Sequence, residues 1–210
     1  MKKYSNVHQP ELDDLSNGYL MKGKWKKAFF KNTNPLVLEL GCGMGEYSIG
    51  LAEKFPNKNF LGVDIKGARM WQGATAAFKK GLNNVCFLRI RIDLIEQCFA
   101  FNEVDEIWIT FPDPQHKKRR GYKRLTHPEF INRYSNMLIE GGKIHLKTDS
   151  QFLHGFTLGV ITGKNYILED STHDLYESPV FRENMEIKTH YEKIYLKKGK
   201  PITYLRFRLK

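Results

Sequence analysis

What most restricts the fold of this chain is an alternation that begins at Pro35. Short apolar runs bounded by turn residues, "PLVLEL", "NFLGVD", "VCFLRIRID", "DEIWITF" and "KIHLKT", are separated by stretches with helical spacing. The helical stretches are "GEYSIGLAEKF", with Tyr47, Ile49, Leu51 and Phe55 recurring along it, "ARMWQGATAAFKKG", closed by Gly81, and "HPEFINRYSNML", ended by Gly141-Gly142. Only the short connection holding "LIEQCF" separates the third run from the fourth, and another helix is expected near "QFLHGFTLGVIT". Strands that alternate with helices predict an α/β fold, a parallel sheet covered on both faces, because parallel neighbours need a crossover between them. The end of the chain departs from the pattern. There "NYILED" and "ITYLRFRL" flank a charged segment with little room for a crossover, which predicts a closing pair, one antiparallel strand, and seven strands in all.

Residues 1–34 are Lys-rich with scattered aromatics and lack the periodicity of a core element, so they are expected to form a basic N-terminal arm before a single domain over residues 35–210. Trp25 and this arm either fold over a partner or stay disordered. The formal charge of +11, from 34 Lys+Arg against 23 Asp+Glu, points to a polyanionic partner, nucleic acid or an anionic membrane surface. No apolar run approaches the length of a membrane span, and "MKKYSNVHQPELDD" turns polar where a signal peptide needs its apolar segment, so a soluble cytoplasmic protein is expected. Cys42, Cys86 and Cys98 have neither CxxC spacing nor nearby His partners, which argues against a disulfide or a metal site.

In open parallel sheets, ligands bind beyond the carboxyl ends of the strands, beside the first one. The first strand here runs into "ELGCGMGEY", with Gly41, Gly43 and Gly45 at alternate positions, and Glu39 stands just before the loop. A dinucleotide fingerprint places its third glycine one residue later and a pyrophosphate on the helix N-terminus; a carboxylate at position 39 repels that group and suits a cationic or hydroxyl-bearing ligand. The second strand ends in Asp64, spaced to grip ribose hydroxyls, and the third in Asp93, placed to meet an adenine edge. A tight turn with the acids serving as helix N-caps is the simpler alternative. Three acids in register with successive strand ends favour a cofactor site, one that fits S-adenosylmethionine, with its sulfonium, ammonium and ribose, and fits NAD poorly.

The fourth strand, expected beside the first, ends in "FPDP". Pro112 and Pro114 restrict the backbone around Asp113 and present its carboxylate rigidly, where it can accept hydrogen bonds from the Watson–Crick edge of guanine. The basic run Lys117, Lys118, Arg119, Arg120, Lys123 and Arg124 then stands where it can hold the phosphates of the strand that delivers the base, and Tyr122 within it can stack on a neighbouring nucleotide.

Taken together, "LELGCGMGEY", "FLGVDIKGARM", "ITFPDPQHKKRR", "HLKTDS" and "THYE" resemble, in order and spacing over about residues 36–208, the bacterial-type tRNA (guanine-N7)-methyltransferases. The resemblance implies a class I S-adenosylmethionine-dependent methyltransferase fold of the Rossmann-like kind. It also implies methylation of guanine 46 in the variable loop of tRNA. By matching motif, it assigns Glu39, Gly41, Gly43, Gly45, Asp64, Asp93 and Asp113 to the cofactor, with Asp113 also catalytic. Lys117, Asp149, Thr189, His190, Tyr191 and Glu192 fall to the substrate pocket, and Lys118, Arg119, Arg120, Gly121, Tyr122, Lys123 and Arg124 to an RNA-contacting loop. Gln115-His116 stand where the family commonly has Trp-Pro, Asp64 where Glu is usual, and "RIRID" is unlike the family's usual approach to Asp93.

Guanine N7 carries an in-plane lone pair and needs no general base to attack a sulfonium methyl, so the expected mechanism is positioning. His116, His145 and His190 are accordingly read as packing or RNA contacts, and Cys42 as a small residue in a tight turn. An amino-methyltransferase would carry an Asn/Asp-Pro-Pro-aromatic motif in place of "FPDPQH", and a non-catalytic RNA-binding scaffold would be expected to lose the pocket acids, all of which are present. No metal is expected, and a monomer or a homodimer is compatible with the sequence.

Overall fold

The structure is a computed structural model that describes residues 4–210. In chain order the elements are β1 (Val7–His8), α1 (Leu12–Ser16), β2 (Leu36–Leu40), α2 (Glu46–Lys54), β3 (Asn59–Asp64), α3 (Gly67–Lys79), β4 (Val85–Arg89) and β5 (Val104–Thr110). They continue with α4 (Pro128–Ser135), β6 (Leu138–Thr148), α5 (Gln151–Gly163), β7 (Ile167–Thr172), α6 (His190–Lys197) and β8 (Thr203–Arg208). The eight strands form one sheet in the order β1-β4-β3-β2-β5-β6-β8-β7. Every pairing is parallel except those of β8, which is antiparallel to both β6 and β7. The order reverses at β2, so the crevice beyond the carboxyl end of that strand is the expected ligand position.

All five residues of β2 are buried, as a central strand covered on both faces requires. Leu36, Leu38 and Leu40 point to one face, where Ile131 and Tyr134 of α4 and Leu153 and Ile161 of α5 meet them; Val37 points to the other, onto α2 and α3. The turn from β2 into α2 depends on Gly45, at φ +72°, because a Cβ there would lie 2.5 Å from the Phe87 ring.

The fold differs from the sequence expectations in three places. Segment 1–34, where described, is built into the body: β1 pairs with β4 as an eighth strand, and Trp25 is fully buried. The Trp25 indole donates to the Cys98 carbonyl at 2.9 Å, and the Glu103 carboxylate accepts from the amides of Gly23, Trp25 and Ala100. Trp25 is therefore a core residue and does not fold over RNA. Second, α4 ends at Ser135, and Gly141-Gly142 lie inside β6 rather than at a helix end. Gly141, at φ +71°, makes a bulge there, and the pairing with β5 jumps from Val104↔Leu138 to Glu106↔Lys143. Third, β4 stops at Arg89, and the rest of the third apolar run turns into a 3-10 helix, Ile92–Gln97.

Candidate active site

At the carboxyl ends of β2, β3, β5 and β6 lies a cavity of about 1130 Å³. Its deepest acid is Glu39 of β2. One carboxylate oxygen, Oε2, accepts from the Ser48 amide at 2.9 Å and the Ser48 hydroxyl at 2.6 Å; the other, Oε1, accepts from the Thr110 hydroxyl at 2.6 Å. Burial pushes Glu39 up to about 7, against the pull of these donors and with a small push from the neighbouring charge of Asp64. Asp64, at the end of β3, accepts from the Gly43 amide at 2.9 Å and the Lys66 amide at 2.8 Å, which ties it to the glycine loop. Gly41 and Gly43 line the cavity, and a Cβ built on either would meet no atom closer than 3.9 Å, so the loop offers bare backbone to whatever enters.

Asp113 reaches the cavity from the end of β5, between two non-glycine residues in the left-handed region, Phe111 (φ 48°) and Gln115 (φ 47°). Each such residue costs on the order of 1 kcal/mol, and strain of this kind concentrates at functional sites. Asp113 Oδ1 accepts from the Gln115 amide at 3.0 Å, and among the described residues Oδ2 has no hydrogen-bond donor. Asp149, 3.5 Å from the Lys200 ammonium, and Thr189, His190 and Tyr191 at the start of α6 complete the far wall. The Thr189 hydroxyl caps α6 by accepting from the Glu192 amide at 3.2 Å.

Four expected site residues stand elsewhere. Asp93 lies on the 3-10 helix and faces an adjoining cavity of about 600 Å³, where Arg91 grips it at 2.6 and 3.1 Å. That guanidinium holds the carboxyl below the usual range, against a smaller push from burial. Glu192 is fully buried behind the wall. It pairs with the Lys147 ammonium at 2.8 Å, accepts from the Tyr176 hydroxyl at 2.6 Å, and returns to the Thr189 amide in a capping box. It therefore orients the wall without lining the cavity. Lys117 precedes the short 3-10 helix Lys118–Lys123 and is not among the lining residues. Arg124 is buried rather than offered to RNA: its guanidinium donates to the Pro114 and Gln115 carbonyls at 3.2 and 3.0 Å and packs on the rings of Phe152 and Phe156. Lys118, Arg119, Arg120, Tyr122 and Lys123 are exposed, half-buried Gly121 sits among them, and Lys123 also lines both cavities.

Two residues of consequence escape a sequence-level reading. Lys147, in the middle of an apolar run, is fully buried. It donates to the Met185 and Ile187 carbonyls at 2.8 and 3.2 Å as well as pairing with Glu192; burial lowers its pKa and the Glu192 charge opposes that. Thr110 supplies one of the donors to Glu39. Of the histidines, His145 is buried in a stack on Trp108, centroids 4.0 Å apart, and His116 and His190 line the cavity. The three cysteines are free and buried, and among the described residues no group of three His, Cys, Asp or Glu side chains is placed to hold a metal. No described helix is long and apolar enough to cross a membrane.

Sheet order, glycine loop and cavity together define a class I S-adenosylmethionine-dependent methyltransferase fold. The 16S rRNA methyltransferase KamB superposes with a TM-score of 0.63 over 84% of this chain and 88% of its own, at 16% identity. TrmN from Thermus thermophilus superposes with a TM-score of 0.59 over 85% of this chain and 45% of its own, at 19% identity. These likenesses bear on the fold. The family described as "Putative methyltransferase" matches residues 33–205. A tRNA (guanine-N(7)-)-methyltransferase of Christiangramia forsetii is 53% identical over 211 residues, covering 100% of this chain and 94% of that protein. One of Bacteroides fragilis is 49% identical over 210 residues, covering 100% and 82%. The chain belongs to the tRNA (guanine-N(7)-)-methyltransferase family, as its motifs led one to expect.

Proposed function

We propose that this chain transfers the methyl group of S-adenosylmethionine to N7 of guanine 46 in the variable loop of tRNA, in the cytoplasm. The observation that carries the proposal is the convergence of Glu39, Asp64 and Asp113 with Thr189, His190 and Tyr191 in one cavity whose rim bears Lys123. The residues present fit the cofactor: bare glycine backbone admits a close-lying ligand, and the acids suit ammonium, sulfonium and ribose while repelling phosphate. Glu39 and the loop from Gly41 to Gly45 would hold its amino-acid end, and Asp64 its ribose. The adenine is assigned to the seam between the two cavities at Ile65 and Ile92, because Asp93 is engaged by Arg91.

When bound, S-adenosylmethionine supplies an electrophilic methyl group on sulfur. The chain's part is to place guanine N7 in line with it, and such positioning can contribute roughly 7–11 kcal/mol in favourable cases. The free Oδ2 of Asp113 accepts from the N1–H and N2–H edge of guanine, which turns N7 toward the reaction centre. Methylation leaves a positive charge on the base, and Asp113 and Asp149 stabilise it as it develops. No side chain has to remove a proton.

The test is methyl transfer from radiolabelled S-adenosylmethionine to unmodified tRNA transcripts, followed by nucleoside analysis. The expected product is 7-methylguanosine, absent when guanine 46 is replaced. Label in another nucleoside, or label that survives the replacement, overturns the proposal.

A further inference from the structure

We propose that the exposed ring of Phe152, with His116 beside it, is a stacking platform for the nucleotide adjacent to the target guanine. Phe152 is the second residue of α5, lines the mouth of the site and keeps 45% of its surface exposed. The His116 ring lies 5.1 Å away at 39°. Phe152, His116 and Gln151 line both the active-site cavity and an adjoining groove of about 620 Å³; Lys118, Arg124, Gly155 and Phe156 line the rest of the groove. No carboxylate is among the residues lining it.

The ring is held in place. The Arg124 guanidinium packs 4.8 Å from the Phe152 ring and 4.4 Å from that of Phe156, and is itself pinned by the two carbonyls of the Asp113 loop. A base that stacks here therefore meets a surface ordered before binding, which lowers the entropy lost on binding. One turn along the same helix face stands Gly155, where a Cβ would meet nothing within 4 Å, so there is room beside the ring for a flat ligand. An aromatic face next to cationic side chains, with no acid opposing them, has the chemistry of a single-stranded nucleic-acid site. The groove adjoins the cavity across Phe152, His116 and Gln151, so a base that uses it lies next to the one being methylated. Drawing a guanine out of its stack leaves that neighbour with an uncovered face, and the platform covers it.

This inference rests on the proposed function, and the experiment separates the two. Transcripts carrying 2-aminopurine on the 5′ or the 3′ side of the target guanine are titrated with the full chain. The fluorescence of one of them is expected to be quenched by the wild type and by Phe152→Trp, and not by Phe152→Ala or Phe152→Leu. Both non-aromatic variants should raise the KM for tRNA about tenfold or more while leaving the KM for S-adenosylmethionine within about twofold. Phe152→Leu keeps apolar packing on Arg124, so a loss there reports stacking rather than collapse of the loop. Gly155→Leu adds helix propensity yet fills the space beside the ring, so it should melt no lower than wild type and show the same rise in KM. Quenching at neither neighbour, or a Phe152→Leu variant that matches wild type, overturns the platform even if 7-methylguanosine forms. Label in the wrong nucleoside overturns the functional proposal instead.

Discussion

Glu192 stands in a motif that the family resemblance assigns to the substrate pocket, and the structure gives it a different task that a single substitution can expose. Glu192→Gln keeps the shape of the side chain and removes its charge, leaving the Lys147 ammonium fully buried with two backbone carbonyls and no counter-ion. Breaking a buried ion pair from one side costs roughly 3–5 kcal/mol. In a protein of this size each kcal/mol moves the melting temperature by about 2–4 °C, so the variant should melt about 6–20 °C lower. Lys147→Met/Glu192→Leu removes both charges and should recover much of the loss, since a buried pair replaced by apolar groups is often neutral. The assay is thermal and urea unfolding of wild type, Glu192→Gln and the double variant. Methyl transfer measured well below each melting point should show a raised KM for tRNA, because the start of α6 is set by the same carboxylate through its capping box. A Glu192→Gln protein that melts within about 1 °C of wild type while losing activity would refute this reasoning and return Glu192 to direct contact with substrate.

Three further outcomes are expected. Because burial raises the pKa of Glu39 from the ordinary 4.5 to about 7, its contribution to stability is whole below pH ~4.5 and is lost as pH rises through ~7. Relative to Glu39→Gln, the wild type should thus lose about 3 kcal/mol between those limits, as read by urea unfolding across pH; a constant difference refutes the assignment. Trp25→Ala should cost about 3–5 kcal/mol in the same unfolding assay, since it empties a fully buried site, whereas a freely moving arm would tolerate it. Asp113→Ala should lower kcat about 100-fold with a much smaller change in the Kd for tRNA, and equal losses in both would make it a binding residue alone.

The central strands and the glycine loop were legible because their signals are local. "LVLEL" is a continuous apolar run between a proline and a glycine, and Gly45 occupies the left-handed position that only its residue type fills without a clash. The parts that were not legible depend on partners far along the chain. Trp25 looks like one aromatic among lysines until Glu103 and Cys98, over seventy residues away, satisfy its backbone and indole. Asp93 follows an alternation that reads as strand, and the 3-10 turn that removes it from the cavity has no mark in a period of two. Arg124 ends a basic run and shares its composition, but the aromatic pair that buries it lies on α5. Thr189 and Glu192 illustrate the opposite failure: T-x-x-E is a legible helix-start signal, and reading it only as a site motif hid the capping box that forms there.

The reversed strand has a consequence for synthesis. During translation β6 and β7 leave the ribosome well before β8, yet β8 is the strand that lies between them. Until Arg208 is made, two strand edges stand open, and β7 has no partner in the sheet. The half built around β2 can consolidate early, whereas the Lys147 side waits for the last strand, so chains cut short before Thr203 should emerge with a formed glycine loop, unprotected edges and a tendency to associate.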